Sequence, residues 1–299
     1  MTEPVLSLRN VHKSFGPVEV LHGVDLDIRA GEVLALIGEN GAGKSTAMKC
    51  LAGYQPASSG RILLDGEEVN FASLHEGEAA GIVLIHQEFN LAEQLTVEQN
   101  IFLGRELRRG LLLDKAEMRR RSREYLARVK CRVDPDTPVS KLSNSDKQMV
   151  EIAKALGRDA RVLIMDEPTA VLTNAEAAIL FEQVEALRAT GTAIVFTSHK
   201  LGEVKQIADR VSVMRDGMVV QTAPVRDMSE DQMATAMVGR DVSDLYPAKA
   251  EVAADAPVLL RVDGLDVPGF AEGVSFALRA GEILGIAGVA GVALAQLTN

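Results

Sequence analysis

VLALIGENGAGKS, residues 33–45, decides the reading of this 299-residue chain. Val33 to Ile37 are five apolar residues in a row and read as a short buried strand. Gly38, Gly41, Gly43, Lys44 and Ser45 then fit the spacing G-x-x-x-x-G-K-[ST] of a phosphate-binding loop. Glycines let the backbone turn tightly and aim successive N–H groups at one anion. The helix expected over Lys44–Leu51 points its positive N-terminal end at the same place. Lys44 can then reach the β- and γ-phosphates of a nucleotide, and the Ser45 hydroxyl can ligate Mg²⁺. The whole loop, Gly38, Glu39, Asn40, Gly41, Ala42, Gly43, Lys44, Ser45 and Thr46, is the candidate nucleotide cradle. The plain alternative, a glycine turn beside a surface lysine, is weakened by the strand before it and the helix after it.

Upstream, Val5–Val11 and Val20–Ile28 alternate apolar with polar residues, the period of half-buried strands. The turn Phe15-Gly16-Pro17 lies between them. Periodicity alone makes Phe15 a core residue; the functional alternative is a stacking platform for adenine. Downstream, Asp65-Gly66 and Asp216-Gly217 each separate two short apolar runs and predict hairpins. The character from about Phe89 to Leu156 is helical, with Asp114 as N-cap of a segment Lys115–Lys130. Arg119, Arg120, Arg121, Arg123 and Arg128 on that segment read most simply as a solvated helix face.

Buried strands recur at Ile82–Ile85, Arg161–Met165 and Thr192–Thr197, with helices at Met149–Leu156 and Ala175–Arg188 between them. Alternating strands and helices predict a parallel sheet covered by helices, with ligands beyond the carboxyl ends of the strands. Lys44, Gln87, Asp166, Glu167 and His199 each follow a strand end closely. That shared placement is the reason to read them as one site.

The net charge of −10 and the pI near 5.1 argue against bulk electrostatic binding to nucleic acid or to an anionic membrane surface. Cys50 and Cys131 lack the spacing of a zinc site or a disulfide framework and are expected as free thiols. The opening MTEPVLSLRN has no signal-peptide pattern, and no apolar run approaches the roughly 18 residues of a membrane span.

Residues 273–291, GVSFALRAGEILGIAGVAG, repeat residues 23–41, GVDLDIRAGEVLALIGENG. In the repeat, Ala293, Leu294 and Ala295 stand where Gly43, Lys44 and Ser45 stand in the first copy. Leu294 supplies no cation and Ala295 no metal ligand. The chain is therefore expected to break off early in a second, degenerate copy of the first domain.

Several motifs now stand in one order: GENGAGKST, the Gln87 of IHQEFNL, LIMDEP at 163–168 and the His199 of TSHK. On them the chain resembles ATP-binding-cassette ATPases. IHQEFNLAEQLTVEQNIFLGRE, QMVEIAKAL, DEPTAVLT and RAGEILGIAG narrow the resemblance to tandem-cassette subunits of bacterial importers of ribose, galactose or xylose type. The resemblance implies an α/β P-loop NTPase cassette over 1–239, with a mixed or antiparallel β subdomain, a parallel-sheet core and an inserted helical subdomain at about 89–156. A linker would follow at 240–257, and 258–299 would begin the second cassette.

The resemblance also implies roles. Lys44 would bind the β- and γ-phosphates, and Phe15 would stack on adenine. Ser45, Gln87 and Asp166 would hold Mg²⁺. Glu167 would polarise the attacking water, Gln87 would touch it, and His199 would contact the γ-phosphate of ATP. Implied partners are polytopic permease subunits and, through them, a periplasmic sugar-binding protein, together with a second cassette. The implied place is the cytoplasmic face of the inner membrane. One motif departs: the usual L-S-G-G-Q reads Leu142-Ser143-Asn144-Ser145-Asp146, which brings a carboxylate where phosphates are expected. Two other readings remain at this stage, a non-catalytic nucleotide-binding module and a soluble cassette ATPase of translation or DNA repair.

Overall fold

The structure is a computed structural model that describes residues 3–86, 89–158, 160–239, 252–253, 255–267 and 271–285. Strands β1 (Leu6–Phe15) and β2 (Val18–Ile28) pair antiparallel, with Leu6 opposite Ile28 and Phe15 opposite Val18. The next strand, β3 (Val33–Ile37), is wholly buried and runs into helix α1 (Lys44–Leu51). Strands β4 (Ser59–Leu64) and β5 (Glu67–Val69) form the hairpin expected around Asp65-Gly66 and complete a four-stranded antiparallel sheet in the order β2-β1-β4-β5.

A short helix, α2 (Leu74–Ala79), leads to strand β6 (Ile82–Ile85). The helical region that follows contains α3 (Val97–Ile101), α4 (Lys115–Arg128) and α5 (Asn144–Leu156). It is not helical throughout: β7 (Arg108–Arg109) and β8 (Leu112–Leu113) form a small hairpin around Gly110. Leu111 at its tip is 98% exposed. Asp114 caps α4 as expected, accepting the Glu117 N–H at 3.0 Å. Three of the five arginines of α4 are drawn into ion pairs: Arg120 with Glu117 and Glu124, Arg121 with Glu117, and Arg119 with Glu98 and Asp136. They make a solvated face whose positive charge is partly neutralised by these carboxylates.

Strand β9 (Val162–Met165), helix α6 (Asn174–Ala189), strand β10 (Ala193–Phe196), helix α7 (Leu201–Ile207), strands β11 (Arg210–Arg215) and β12 (Met218–Pro224) and helix α8 (Glu230–Val238) complete the first unit. The six-stranded sheet runs β12-β11-β3-β10-β9-β6, parallel except for the β11–β12 hairpin. The unbroken apolar strands follow from burial on both faces. Val33, Ala35 and Ile37 enter a core shared with α3 to α7. Leu34 and Leu36, pointing the other way, enter a core shared with β1, β2 and α1. At the carboxyl edge the strands end in register, Ile85 beside Met165 and Met165 beside Phe196. The residues that follow these strands are thereby lined up along one rim.

The chain divides into two compact units, Met1–Val242 and Ser243–Asn299. The second shows one antiparallel pair, β13 (Val258–Val267) and β14 (Ala271–Arg279), with Phe276 opposite Val262 and Leu278 opposite Leu260. Phe276 and Leu278 are the repeat counterparts of Leu26 and Ile28 in β2. Most of the expected linker and Ala293, Leu294 and Ala295 lie outside the described residues.

Candidate functional site

The loop from Gly38 to Gly43 is shaped by its glycines. A Cβ on Gly38 would lie 2.3 Å from the Met214 carbonyl oxygen, so only glycine lets the loop pass over β11. Gly43, just before α1, has a left-handed φ of 99°, and a Cβ there would meet Leu21 at 2.8 Å. Lys44 opens α1 and is buried. Its Nζ donates to the Gly38 carbonyl at 2.7 Å and the Glu39 carbonyl at 3.0 Å. Burial lowers its pKa, against the opposing pull of the Glu167 and Asp166 charges. The Ala42 N–H donates to Glu39 and its carbonyl accepts from Gly217, so Gly38, Glu39 and Ala42 build the loop. Asn40, Gly41, Gly43, Lys44, Ser45 and Thr46 line the cleft in front of it.

Asp166 and Glu167 follow β9 and line that same cleft of about 380 Å³. Glu167 adopts a left-handed backbone, φ 47°, which costs a residue with a Cβ about 1 kcal/mol or more. The turn is held from the neighbouring strand end. Thr197 accepts the Glu167 N–H at 2.8 Å and donates its hydroxyl to Asp166 Oδ1 at 3.0 Å. His199, two residues further on, places Nδ1 3.3 Å from Glu167 Oε2. Lys44, Ser45, Asp166, Glu167 and His199 are therefore one constellation drawn from three strand ends. Gln87 lies outside the described residues. Ser45 and Asp166 also face a second cleft with Tyr54, His86, Phe89 and Asn90, where the Tyr54 and His86 rings meet edge to face at 4.7 Å.

Phe15 is 46% exposed at the end of β1, which removes the core alternative. Val20, further along the same hairpin, reaches the lip of the phosphate cleft. Ser143 caps α5, accepting the Asp146 N–H at 3.1 Å, and donates its own hydroxyl to Asp146 Oδ2 at 2.7 Å. The carboxylate that replaces a glutamine in the signature segment thus turns onto its own serine. Cys50 and Cys131 are free, and burial pushes both thiols up, away from the reactive thiolate form.

A hard oxygen pair, the Ser45 hydroxyl and the Asp166 carboxylate, fits Mg²⁺, which takes one or two protein oxygens and completes its shell with phosphate and water. Among the described residues no group of three or more His, Cys, Asp or Glu forms a closed metal cage.

Residues 21–170 match the family described as ABC transporter. The chain belongs to that family. A nucleotide-free ATP-binding cassette from an ABC transporter superimposes with a TM-score of 0.70 and 25% identity, covering 82% of this chain and 99% of that one. Among ABC transporter proteins, the chain is 48% identical over 287 residues to the "Ribose import ATP-binding protein RbsA" of Chromobacterium violaceum, covering 96% of this chain and 57% of that protein. It is 47% identical over 298 residues to the "Ribose import ATP-binding protein RbsA 3" of Rubrobacter xylanophilus, covering 99% of this chain and 60% of that protein. The chain thus spans less than two thirds of these ABC transporter relatives.

Two supports of this ABC transporter site are not singled out by sequence reasoning. Thr197 ends an apolar strand and looks like any strand-terminal threonine; only the β9–β10 register makes it a clamp for Asp166 and Glu167. Glu203 on α7 accepts the Thr169 hydroxyl at 2.6 Å and the Ser198 hydroxyl at 2.8 Å, and pairs with Lys200 at 3.1 Å. It ties the loop after β9 to the loop after β10. Glu203, four residues after His199 on a charged segment, carries no sequence signal of that role.

Proposed function

We propose that this chain binds ATP with Mg²⁺ and serves as the energy-coupling cassette of an ATP-driven sugar importer. The observation that carries the reading is the meeting of Lys44, Ser45, Asp166 and Glu167 around one cleft, with His199 against Glu167. The loop glycines and the N-terminal end of α1 offer N–H groups to the phosphates, and Lys44 turns from its own loop carbonyls to the β- and γ-oxygens. Mg²⁺, held by Ser45 and Asp166 and assisted by Gln87, would neutralise phosphate charge. Glu167 orients the attacking water, and His199, held by Glu167, faces the γ-phosphate. Catalysis by such a site is positioning and charge stabilisation.

The sugar class rests on the printed names of the relatives, both ribose import ATP-binding proteins. Permease subunits, a periplasmic sugar-binding protein and a second cassette are the partners this reading requires, at the cytoplasmic face of the membrane. Among the described residues no helix is long and apolar enough to cross a membrane. The net charge of −10 speaks against the translation and repair alternative, and Arg119, Arg120 and Arg121 of α4 are engaged with carboxylates. The bond between Ser143 and Asp146 favours a second reading, a cassette that binds nucleotide but does not complete a partner's site.

Equilibrium binding of ATP with Mg²⁺ tests the reading. Lys44→Ala removes the cation that meets the phosphates and is expected to weaken binding about hundredfold or more. Retained micromolar affinity overturns the role of Lys44.

A further inference from the structure

We propose that Lys13 is a positioning residue for the base: its ammonium backs one face of the Phe15 ring and reserves the other as the stacking surface for adenine. This rests on the reading of Phe15 as the adenine platform. Lys13 Nζ lies 5.1 Å from the Phe15 ring centroid, within the range of a cation–π contact. The same nitrogen donates to the Pro56 carbonyl at 2.7 Å. Two more bonds stitch this corner: the Ser58 N–H donates to the His12 carbonyl at 2.8 Å, and the Ser14 N–H to Ser58 Oγ at 2.9 Å. The Pro56–Ser58 loop follows α1, the helix that begins at Lys44. Lys13 therefore fixes the aromatic ring to the element whose other end addresses the phosphates.

The physics gives this contact a consequence for the ligand. An aromatic ring carries negative charge on both faces. A cation on one face draws that density toward itself, so the far face repels an electron-rich purine less. The ring is also held before the base arrives, which lowers the ordering cost of binding. Phe15 keeps nearly half of its surface open while one face is engaged, as a one-sided platform requires.

Titration calorimetry of the full chain with Mg²⁺ and either ATP or inorganic tripolyphosphate tests the inference, because tripolyphosphate has the phosphates and no base. Lys13→Met keeps the apolar stem and removes the cation. It is expected to weaken ATP about fivefold, leave tripolyphosphate unchanged, and be largely rescued by Lys13→Arg. Phe15→Ala should weaken ATP by at least as much, and Lys13→Met added to it should cost nothing further. Wild-type ATP affinity in Lys13→Met, with Phe15→Ala impaired, overturns the inference and leaves the platform standing. Unchanged ATP affinity in Phe15→Ala overturns the platform itself. Equal losses for ATP and tripolyphosphate in Lys13→Met would make Lys13 a support of the phosphate end and also overturn the inference.

Discussion

Glu167 sits in a left-handed turn with its N–H on Thr197, its carboxylate 3.3 Å from His199, and Lys44 on the same cleft wall. A side chain held this tightly suits a reaction in which little covalent chemistry is left for the protein and orientation decides the rate. Glu167→Gln preserves size and hydrogen bonding but removes the charge proposed to polarise water. In the complete transporter assembly it is expected to keep ATP affinity within a few-fold of wild type and to lower turnover by about 10²–10⁴-fold. Unchanged turnover in a steady-state phosphate-release assay removes Glu167 from the chemistry. The residue scale is where the sequence was most informative. Gly38, Gly43 and Lys44 announce themselves because each is forced by a local requirement, a close backbone approach, a left-handed φ and a cation at a helix start. Thr197 stays silent because its role depends on which strand lies beside it.

Elements differ in the same way. Lys44–Leu51 and Ile82–Ile85 stand where periodicity puts them, since the first follows a glycine loop and the second is bounded by turns. Helix α5 begins at Asn144 and not at Met149, because Ser143 caps it and Asp146 supplies the N–H that Ser143 accepts. The β7–β8 hairpin escapes notice because two-residue strands carry no period. Helices α2 and α7 are each under two and a half turns, too short for a clear pattern. Yet α7 carries Glu203, whose carboxylate joins the Asp166–Thr169 turn to the Ser198–Lys200 turn. Glu203→Ala would leave two deeply buried hydroxyls, Thr169 and Ser198, without that acceptor. The expected cost is about 2 kcal/mol in denaturant unfolding, from the desolvation of those groups. In the assembly, turnover should fall about tenfold while KM for ATP moves little, because the phosphate loop is untouched. Glu203→Gln, which still accepts from one hydroxyl, should fall between. A large rise in KM with turnover retained would show that α7 serves binding and not the alignment of Glu167 with His199.

At the scale of the molecule, the 299 residues hold one phosphate loop with its lysine and one signature segment, and the two are not made for each other. In the paired arrangement of cassettes that the family resemblance implies, ATP on one cassette is capped by the signature of the other. The segment that would do this for a partner has its serine bound to Asp146, which sets a negative charge at the start of α5. The repeat of the phosphate loop reads Ala293, Leu294 and Ala295, with neither cation nor metal ligand. On that arrangement the composite site these two would form is degenerate from both sides, and the sound loop at Gly38–Thr46 would need a different signature to cap its nucleotide. Each missing donor at a developing charge costs about 10²–10³ in rate. The isolated chain is therefore expected to bind ATP with Mg²⁺ yet hydrolyse it well below about one turnover per second, under the usual range of enzyme rates. Adding a cassette with an intact signature should raise the rate. Phosphate release at saturating ATP measures both, and several turnovers per second from the chain alone would show that it needs no second cassette to complete its site.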